Sequence, residues 1–310
     1  MMKAKDSVRI WFETLSSMGE DMDILLQCDV GEGMQDYRFH HGRFDAIGGF
    51  LTHVAKVDKP KTTLSLRGKG APFYKYLIGF FIYLLRIPFY ASGFKNFNKN
   101  WRSSKKHYPR AVSFLDVAET RAIKERAQAM NVSVNAFLLY HLNASFQELL
   151  NGKGKDIWLI PVNLRVNTKD NLSQNEVGFV DAVIKKHHGV FDINQQIKKR
   201  LSRYEHLGGV LGVGIGVVTG EFLLKKLVKL NKYLQVRTGV FTNLGEWQAD
   251  GCEHFKLSGF PPVLETQPVG ASAITWCHKM TLSLHTHPAL QLNESNVEKI
   301  LENWKNRLKE

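Results

Sequence analysis

Apolar residues along this chain recur every three to four positions in some stretches, and in others alternate or form short unbroken runs. The first pattern marks helices and the second strands. Ser7 to Leu15 and Met22 to Val30 read as strands, the second holding Ile24, Leu25 and Leu26. Asp36 to His40 reads as a third, short strand, and Ala46 to Val57 follows as a helix with Ile47, Phe50, Leu51 and Val54 on one face. Ala111 to Leu115 is a strand, after which Asp116 and Glu119 form a capping box for a helix through Met130. Ser133 caps the next helix, whose apolar face carries Phe137, Leu138, Leu142 and Phe146 and which Gly152 ends. Asp156 to Arg165 reads as a central strand and Gly178 to Ile184 as another. Ala271–Cys277 and Met280–His287 form a hairpin around His278 and Lys279. Ser295 and Glu298 cap a last helix, with Val297, Ile300, Leu301, Trp304 and Leu308 facing inward.

Two stretches have a character of their own. Leu77 to Leu85 is the most apolar part of the chain and is too short to cross a bilayer as a helix. Lys75 and Arg86 bracket it, with Phe73, Tyr74, Tyr76, Phe89 and Tyr90 around it. It suits either a buried helix lining the core or an interfacial helix lying on a membrane. From Leu207 to Leu224, Gly208, Gly212, Gly216 and Gly220 recur at every fourth position. That spacing gives one helical ridge, open to close approach by another helix or a lipid chain, and does not match the dinucleotide fingerprint. Phe222 to Leu234 continues as a basic amphipathic helix with Lys225, Lys226, Lys229 and Lys232. Lys56 to Gly70 and Asn96 to Arg110 read as basic, irregular connections, the second a crossover between lobes.

Composition narrows the class. The chain has 310 residues, 44% hydrophobic and 23% charged, as expected of one large soluble domain or two lobes. The formal net charge of +13 favours an acidic partner, such as a phosphorylated cofactor or an anionic membrane face. The basic residues are spread out and no zinc-finger or RNA-binding pattern occurs, so no nucleic-acid partner is expected. Cys28, Cys252 and Cys277 are odd in number and far apart, which argues for a reducing compartment without a disulfide frame. The first ten residues lack the apolar core of a secretory signal. A cytoplasmic protein is expected, peripheral on a membrane if the apolar helix is interfacial.

Candidate chemistry centres on Phe39-His40-His41-Gly42-Arg43-Phe44-Asp45-Ala46. A histidine at a strand end is held by sheet hydrogen bonds on one side and faces open space on the other, which suits a general base near neutral pH. Asp45 is near enough to fold back and fix the turn. The same residues also suit a buried histidine pair with a helix-capping aspartate. His285 and His287 share a strand face with Thr281 and Ser283, but no zinc-ligand spacing accompanies them and no metal is expected. His141 reads as a core histidine, and His187 and His188 as solvated. Gly-x-Ser-x-Gly is absent, so hydrolysis through an acyl-enzyme is not expected.

The stretch from His40 to Ala46 resembles the His-His-x-x-x-Asp-Gly motif of CoA-dependent acyltransferases, with Ala46 in place of the glycine. That superfamily holds chloramphenicol acetyltransferase, condensation domains and wax ester synthase/diacylglycerol acyltransferases. Val134-Asn135-Ala136 is similar to the Asn-Asp helix motif of the wax ester synthase group, with Ala136 replacing the aspartate. Pro161-Val162-Asn163-Leu164-Arg165 looks like its Pro-Val-x-Leu-Arg strand, and Asn175 to Phe179 like its following Asn-x-x-Gly segment. Phe241-Thr242-Asn243-Leu244-Gly245 resembles its Ser-Asn-x-x-Gly strand end. The motifs keep the family's order from residue 40 to residue 245.

The resemblance implies an α/β, chloramphenicol acetyltransferase-like two-lobed fold. Residues 1–110 would form a shortened N-terminal lobe carrying the motif, residues 111–310 the C-terminal lobe, and the site would lie in a channel between them. It makes His41 the base and Asp45 a structural residue paired with Arg165, with His40 shaping the loop. Thr242 or Asn243 would stabilise the oxyanion, and Asn135 would join the substrate site. The co-substrate would be an acyl-CoA or acyl-carrier thioester, the acceptor a small hydroxyl or amine compound, and the setting lipid metabolism. A homo-oligomer also fits, because chloramphenicol acetyltransferase builds its sites between subunits. Ala46, Ala136 and the short first lobe leave two other readings: a non-catalytic binding module of the same fold, and a membrane-surface lipid-binding protein.

Overall fold

The computed structural model describes residues 4–29, 33–54, 61–62, 71–86, 107–150, 154–165, 175–249 and 254–310. Most of the two basic connections, the helix end at Gly152, and Phe89 and Tyr90 lie outside these residues. In chain order the elements begin with α1 (Ala4–Ser17), β1 (Asp23–Asp29), β2 (Met34–His40) and α2 (Ala46–Gly49). Next come β3 (Lys61–Thr62), α3 (Phe73–Arg86), β4 (Arg110–Phe114), α4 (Val117–Ala129) and α5 (Val134–Leu150). The middle of the chain forms β5 (Asp156–Asn163), β6 (Val177–Ile184), α6 (Val190–Ser202), α7 (Glu205–Val218) and α8 (Glu221–Leu234). It closes with β7 (Gly239–Gln248), β8 (Lys256–Phe260), β9 (Val269–Trp276), β10 (Lys279–Thr286) and α9 (Glu294–Arg307).

The larger sheet runs β4-β10-β9-β7-β5-β6, with β3 paired to β7. Strand β9 (Val-Gly-Ala-Ser-Ala-Ile-Thr-Trp) is buried along its whole length, as a strand covered on both faces must be. One face carries a core of Trp158, Phe241 and Leu282 with Leu138, Leu142 and Trp304 from α5 and α9. Full burial of a leucine such as Leu138 stabilises the fold by about 1.5–3 kcal/mol. The smaller sheet, β2-β1-β8, joins Ile24, Leu26 and Phe39 to Leu244, Trp247 and Ile274 of the larger one. Because β8 pairs antiparallel with β1, the smaller sheet combines residues from both halves of the chain.

A helical layer completes the molecule, with α1 against α7 and α8, and α3 against α7. Glycine makes the α3–α7 crossing. A Cβ at Gly79 would lie 2.1 Å from the Tyr204 carbonyl oxygen, and one at Gly208 would lie 2.3 Å from that of Gly79. Gly212, the next member of the ridge, faces the Phe80 ring.

Several elements differ from expectation. Ser7 to Leu15 is part of a helix, because Val8, Trp11, Phe12 and Leu15 satisfy the helical period as well as Val8, Ile10 and Phe12 satisfy alternation. Strand β5 lies beside the edge strand β6 and is not central. The glycine ridge does not run through to Leu224 as one helix. Gly220, at φ +88°, turns the chain between α7 and α8. The helix after Asp45 widens into a π-helical turn at Phe50–Val54. Lys61 and Thr62, read as irregular, add a short strand to β7. The last helix is capped by Asn293 and Asn296, each side chain accepting from the other's backbone N–H, instead of by Ser295 and Glu298.

His285 of β10 is enclosed by Phe260 and by Gly270, where a Cβ would meet its ring. Its Nε2–H donates to the Pro261 carbonyl at 2.5 Å. Burial pushes its pKa from 6.5 down to about 4. As pH falls below 6.5 the unfolded chain takes up a proton that the folded chain refuses until about 4. Stability is therefore lost progressively across that window, by up to roughly 3 kcal/mol from this group. Urea unfolding at stepped pH should show the decline, and His285→Gln should flatten it. An unchanged slope in the variant would assign the decline elsewhere.

Candidate active site

The turn between β2 and α2 is built from its own backbone and from one buried carboxylate. His40 ends β2 opposite Asp23 of β1, and the His41 N–H donates to the Met22 carbonyl at 2.9 Å. The N–H groups of Arg43 and Phe44 both return to the His40 carbonyl. Asp45, only 1% exposed, caps α2: its Oδ1 accepts from Gly48 N at 2.7 Å. Its Oδ2 accepts from Arg165 Nη2 at 2.8 Å and from Glu176 N at 2.9 Å. Arg165 is fully buried, just beyond the end of β5. The same carboxylate thus ties the turn to the start of β6. Ala46 opens α2 and is not among the positive-φ residues, so alanine replaces glycine there without backbone strain. Gly42 has less room, since a Cβ would lie 2.9 Å from His40 Nδ1 and 3.2 Å from the Arg9 carbonyl oxygen.

The hydrogen bonds assign a tautomer to each ring. Gly42 N donates to His40 Nδ1 at 3.1 Å, so the proton of His40 sits on Nε2 and donates to Ser16 Oγ at 2.8 Å. His41 is the reverse. Its Nδ1 lies 3.1 Å from the Phe44 carbonyl, which can only accept, so Nδ1 carries the proton and Nε2 keeps a free lone pair. Asn175 Nδ2 lies 3.3 Å from the same Nδ1 but donates to the His41 carbonyl at 2.8 Å. The Phe12 ring covers the imidazole at 4.4 Å between centroids. Burial lowers the pKa of His41 below 6.5, outweighing the Phe44 carbonyl and the charge of Asp45, which act in the opposite direction. The ring is neutral at neutral pH.

His41 lines a cavity of about 560 Å³ enclosed by α1, α3, α7, α8 and strands β5 to β7. Trp11, Phe12, Leu15, Phe80, Val213 and Leu227 give it an apolar wall. Asp45, Thr242 and Asn243 reach the same space, whereas Asn135 stands behind Asn243. The Asn243 carboxamide is held at both ends, donating to Asn135 Oδ1 at 2.7 Å and accepting from Gly245 N at 2.9 Å. A register shift in β7 and a positive φ of 81° at Gly245 accompany this bend. Farther along the wall, Arg237 forms a buried pair with Asp181 at 2.6 Å and holds Gln235 at 2.7 Å.

The sequence reading did not single out Ser16, Phe12 or the Arg237–Asp181 pair as site residues. The first two lie on the helix read as a strand, and the pair joins positions 56 residues apart with no local signature. Among the described residues, no group of His, Cys, Asp and Glu side chains is arranged to hold a metal ion. His287 caps a short turn, with Nδ1 accepting from Ala289 N.

Asp45 and Arg165 are enclosed, so loss of either partner leaves an uncompensated charge. Asp45→Asn and Arg165→Gln should each lower the unfolding free energy by roughly 3–5 kcal/mol. The double variant should recover part of that loss. Chemical denaturation of the four proteins measures the coupling, and strictly additive losses would show that the two side chains act independently.

No protein-family model and no curated protein matches the sequence. Solved structures do match. The first condensation domain of the calcium-dependent antibiotic synthetase, in complex with a substrate analogue, aligns with a TM-score of 0.56 at 10% identity over 90% of this chain and 67% of that one. The epimerization domain from the third module of tyrocidine synthetase B gives 0.54 at 13% identity over 89% and 68%. A mutant starter condensation domain of rhizomide synthetase, in complex with C8-CoA and Leu-SNAC, gives 0.53 at 9% identity over 89% and 65%. This chain therefore spans about two thirds of the length of each, and the likeness is one of fold. The chain has the α/β fold of these condensation and epimerization domains.

Proposed function

We propose that this protein transfers an acyl group from a thioester, either an acyl-CoA or a carrier-bound chain, to the hydroxyl or amine of a small acceptor, with His41 as general base. The observation that carries this reading is the 3.1 Å contact between His41 Nδ1 and the Phe44 carbonyl, which assigns the proton to Nδ1 and leaves Nε2 unprotonated on a ring that lines the cavity. Burial keeps the imidazole neutral, which is the form that accepts a proton. The fold agrees with acyl transfer at a coarse level, and the rhizomide synthetase domain of that fold was captured with C8-CoA and Leu-SNAC.

In the proposed step, Nε2 takes the proton from the acceptor O–H or N–H as the heteroatom attacks the thioester carbonyl carbon. The new bond forms, and the carbonyl electron pair moves to oxygen. Collapse of this intermediate breaks the C–S bond, and the proton returns from Nε2–H to the departing thiolate. No acyl-enzyme forms. Thr242 is the proposed oxyanion donor, since it lines the cavity beside Asn243, whose carboxamide already engages Asn135 and Gly245. Asn243 and Asn135 then act as a positioning pair, and His40, bonded to Ser16, shapes the turn.

Thiol release from a panel of acyl-CoAs with alcohol and amine acceptors tests the reading. His41→Ala should lower the transfer rate by about 10²–10⁴-fold with an unchanged melting temperature, and Thr242→Val by about 10²-fold. Because the pKa of His41 lies below 6.5, kcat/KM should rise with pH along an acid limb whose midpoint is also below 6.5. Equal rates for wild type and His41→Ala would refute the role of His41. If no thioester turns over yet acyl-CoA raises the melting temperature of both proteins equally, the fold serves as a binding module.

A further inference from the structure

Some of the residues that line the cavity are unlike an ordinary protein surface. Leu84 of α3, Ile215 of α7, and Leu230 and Leu234 of α8 line the cavity and are also exposed. They form an apolar mouth. Around it the exposure grows: Phe81 is 61% exposed, Leu85 75%, Val218 77% and Phe222 75%. Apolar surface gathered around an opening marks an interaction site, unlike single exposed leucines scattered over a protein.

Charge indicates what covers it. Helix α8 (Glu-Phe-Leu-Leu-Lys-Lys-Leu-Val-Lys-Leu-Asn-Lys-Tyr-Leu) sets four lysines against one glutamate, and α3 contains no acidic residue. Glu221 is matched by Lys225, and Glu20 of the neighbouring loop by Lys232. Lys226 lies over the Phe222 ring at 4.4 Å, so a cation and an exposed aromatic ring share one place, as at a lipid headgroup boundary. Helix α3 has 14 residues and is roughly 21 Å long, short of the hydrocarbon core of about 30 Å. Among the described residues no helix is long and apolar enough to cross a membrane. A second copy of this chain docked on the same face by a twofold axis would set one basic face against another, with no acidic residue on α3 and one on α8 to offset it.

We infer that the exposed faces of α3, the end of α7, and α8 rest on an anionic membrane surface, with the mouth of the cavity turned toward the bilayer. Phe81, Leu85, Val218 and Phe222 enter the acyl boundary, while Lys226 and Lys229 meet the headgroup charge. An apolar chain then passes from the lipid into the cavity without crossing water. Binding of this kind does not depend on the role of His41.

Co-sedimentation of the whole protein with phosphatidylcholine vesicles, with and without phosphatidylserine, is the test. Binding should require phosphatidylserine and weaken as salt is added. The exposed-site double variants Leu85→Glu with Phe222→Glu, and Lys226→Glu with Lys229→Glu, should each reduce it by about tenfold or more at unchanged melting temperature. His41→Ala should bind as wild type does, whichever way the transfer assay turns out. Absence of binding at low salt, or equal binding by the double variants, would overturn the inference. So would sedimentation equilibrium showing a wild-type dimer that Leu85→Glu with Phe222→Glu converts to monomer, since that result gives the face to a second copy.

Discussion

A single carboxylate organises this structure. Asp45 is buried, and an ionised group in that position is tolerable only when its charge and its lone pairs are all answered. Three elements answer them: the first turn of α2 through Gly48 N, the end of the β5 strand through Arg165, and the start of β6 through Glu176 N. These contacts hold the turn after β2 against the edge of the larger sheet. The direction in which His41 points follows from that turn, because its ring is held by the Phe44 carbonyl immediately before Asp45. The ion pair thus helps to hold the turn that carries the imidazole.

The two adjacent histidines show how environment separates residues of one type. His40 receives a backbone proton on Nδ1 and gives its own to Ser16, so both nitrogens are occupied. His41 directs Nδ1 to a carbonyl, and its ring lines an apolar cavity. Helix α1 matters to both, supplying Ser16 to the first and Phe12 to the second. The same helix forms a wall of the cavity with Trp11 and Leu15, so the site and the apolar space are assembled by one packing event.

Much of this was legible in the sequence where local rules have one solution. The capping box at Asp116 and Glu119, the unbroken apolar strands and the hairpin near His278 each follow from short-range chemistry, although the turn sits one residue earlier than read, at Cys277 and His278, which both take a positive φ. A buried Asp45 needs a cation, the family resemblance pointed to Arg165 for that role, and the two side chains meet at 2.8 Å. Local rules failed where two periods fit one stretch. Val8, Ile10 and Phe12 alternate like a strand, but burial of Val8, Trp11, Phe12 and Leu15 against α7 and α8 selects the helix, a choice that only tertiary contact makes. Gly220 belonged to a regular glycine spacing, yet its positive φ ends that helix. The Arg237–Asp181 pair and the hold of Asn175 on the His41 carbonyl are long-range, and nothing near either residue announces them.

The proposed chemistry requires a neutral His41 with an unprotonated Nε2 open to the cavity. Two-bond nitrogen–proton NMR correlation of the histidine side chains, followed through a pH titration, reads the tautomer and the pKa of this ring directly. The Nδ1–H tautomer is expected at pH 7, with protonation of Nε2 only below 6.5. A His41 ring found in the Nε2–H tautomer, or already charged at neutral pH, would contradict it.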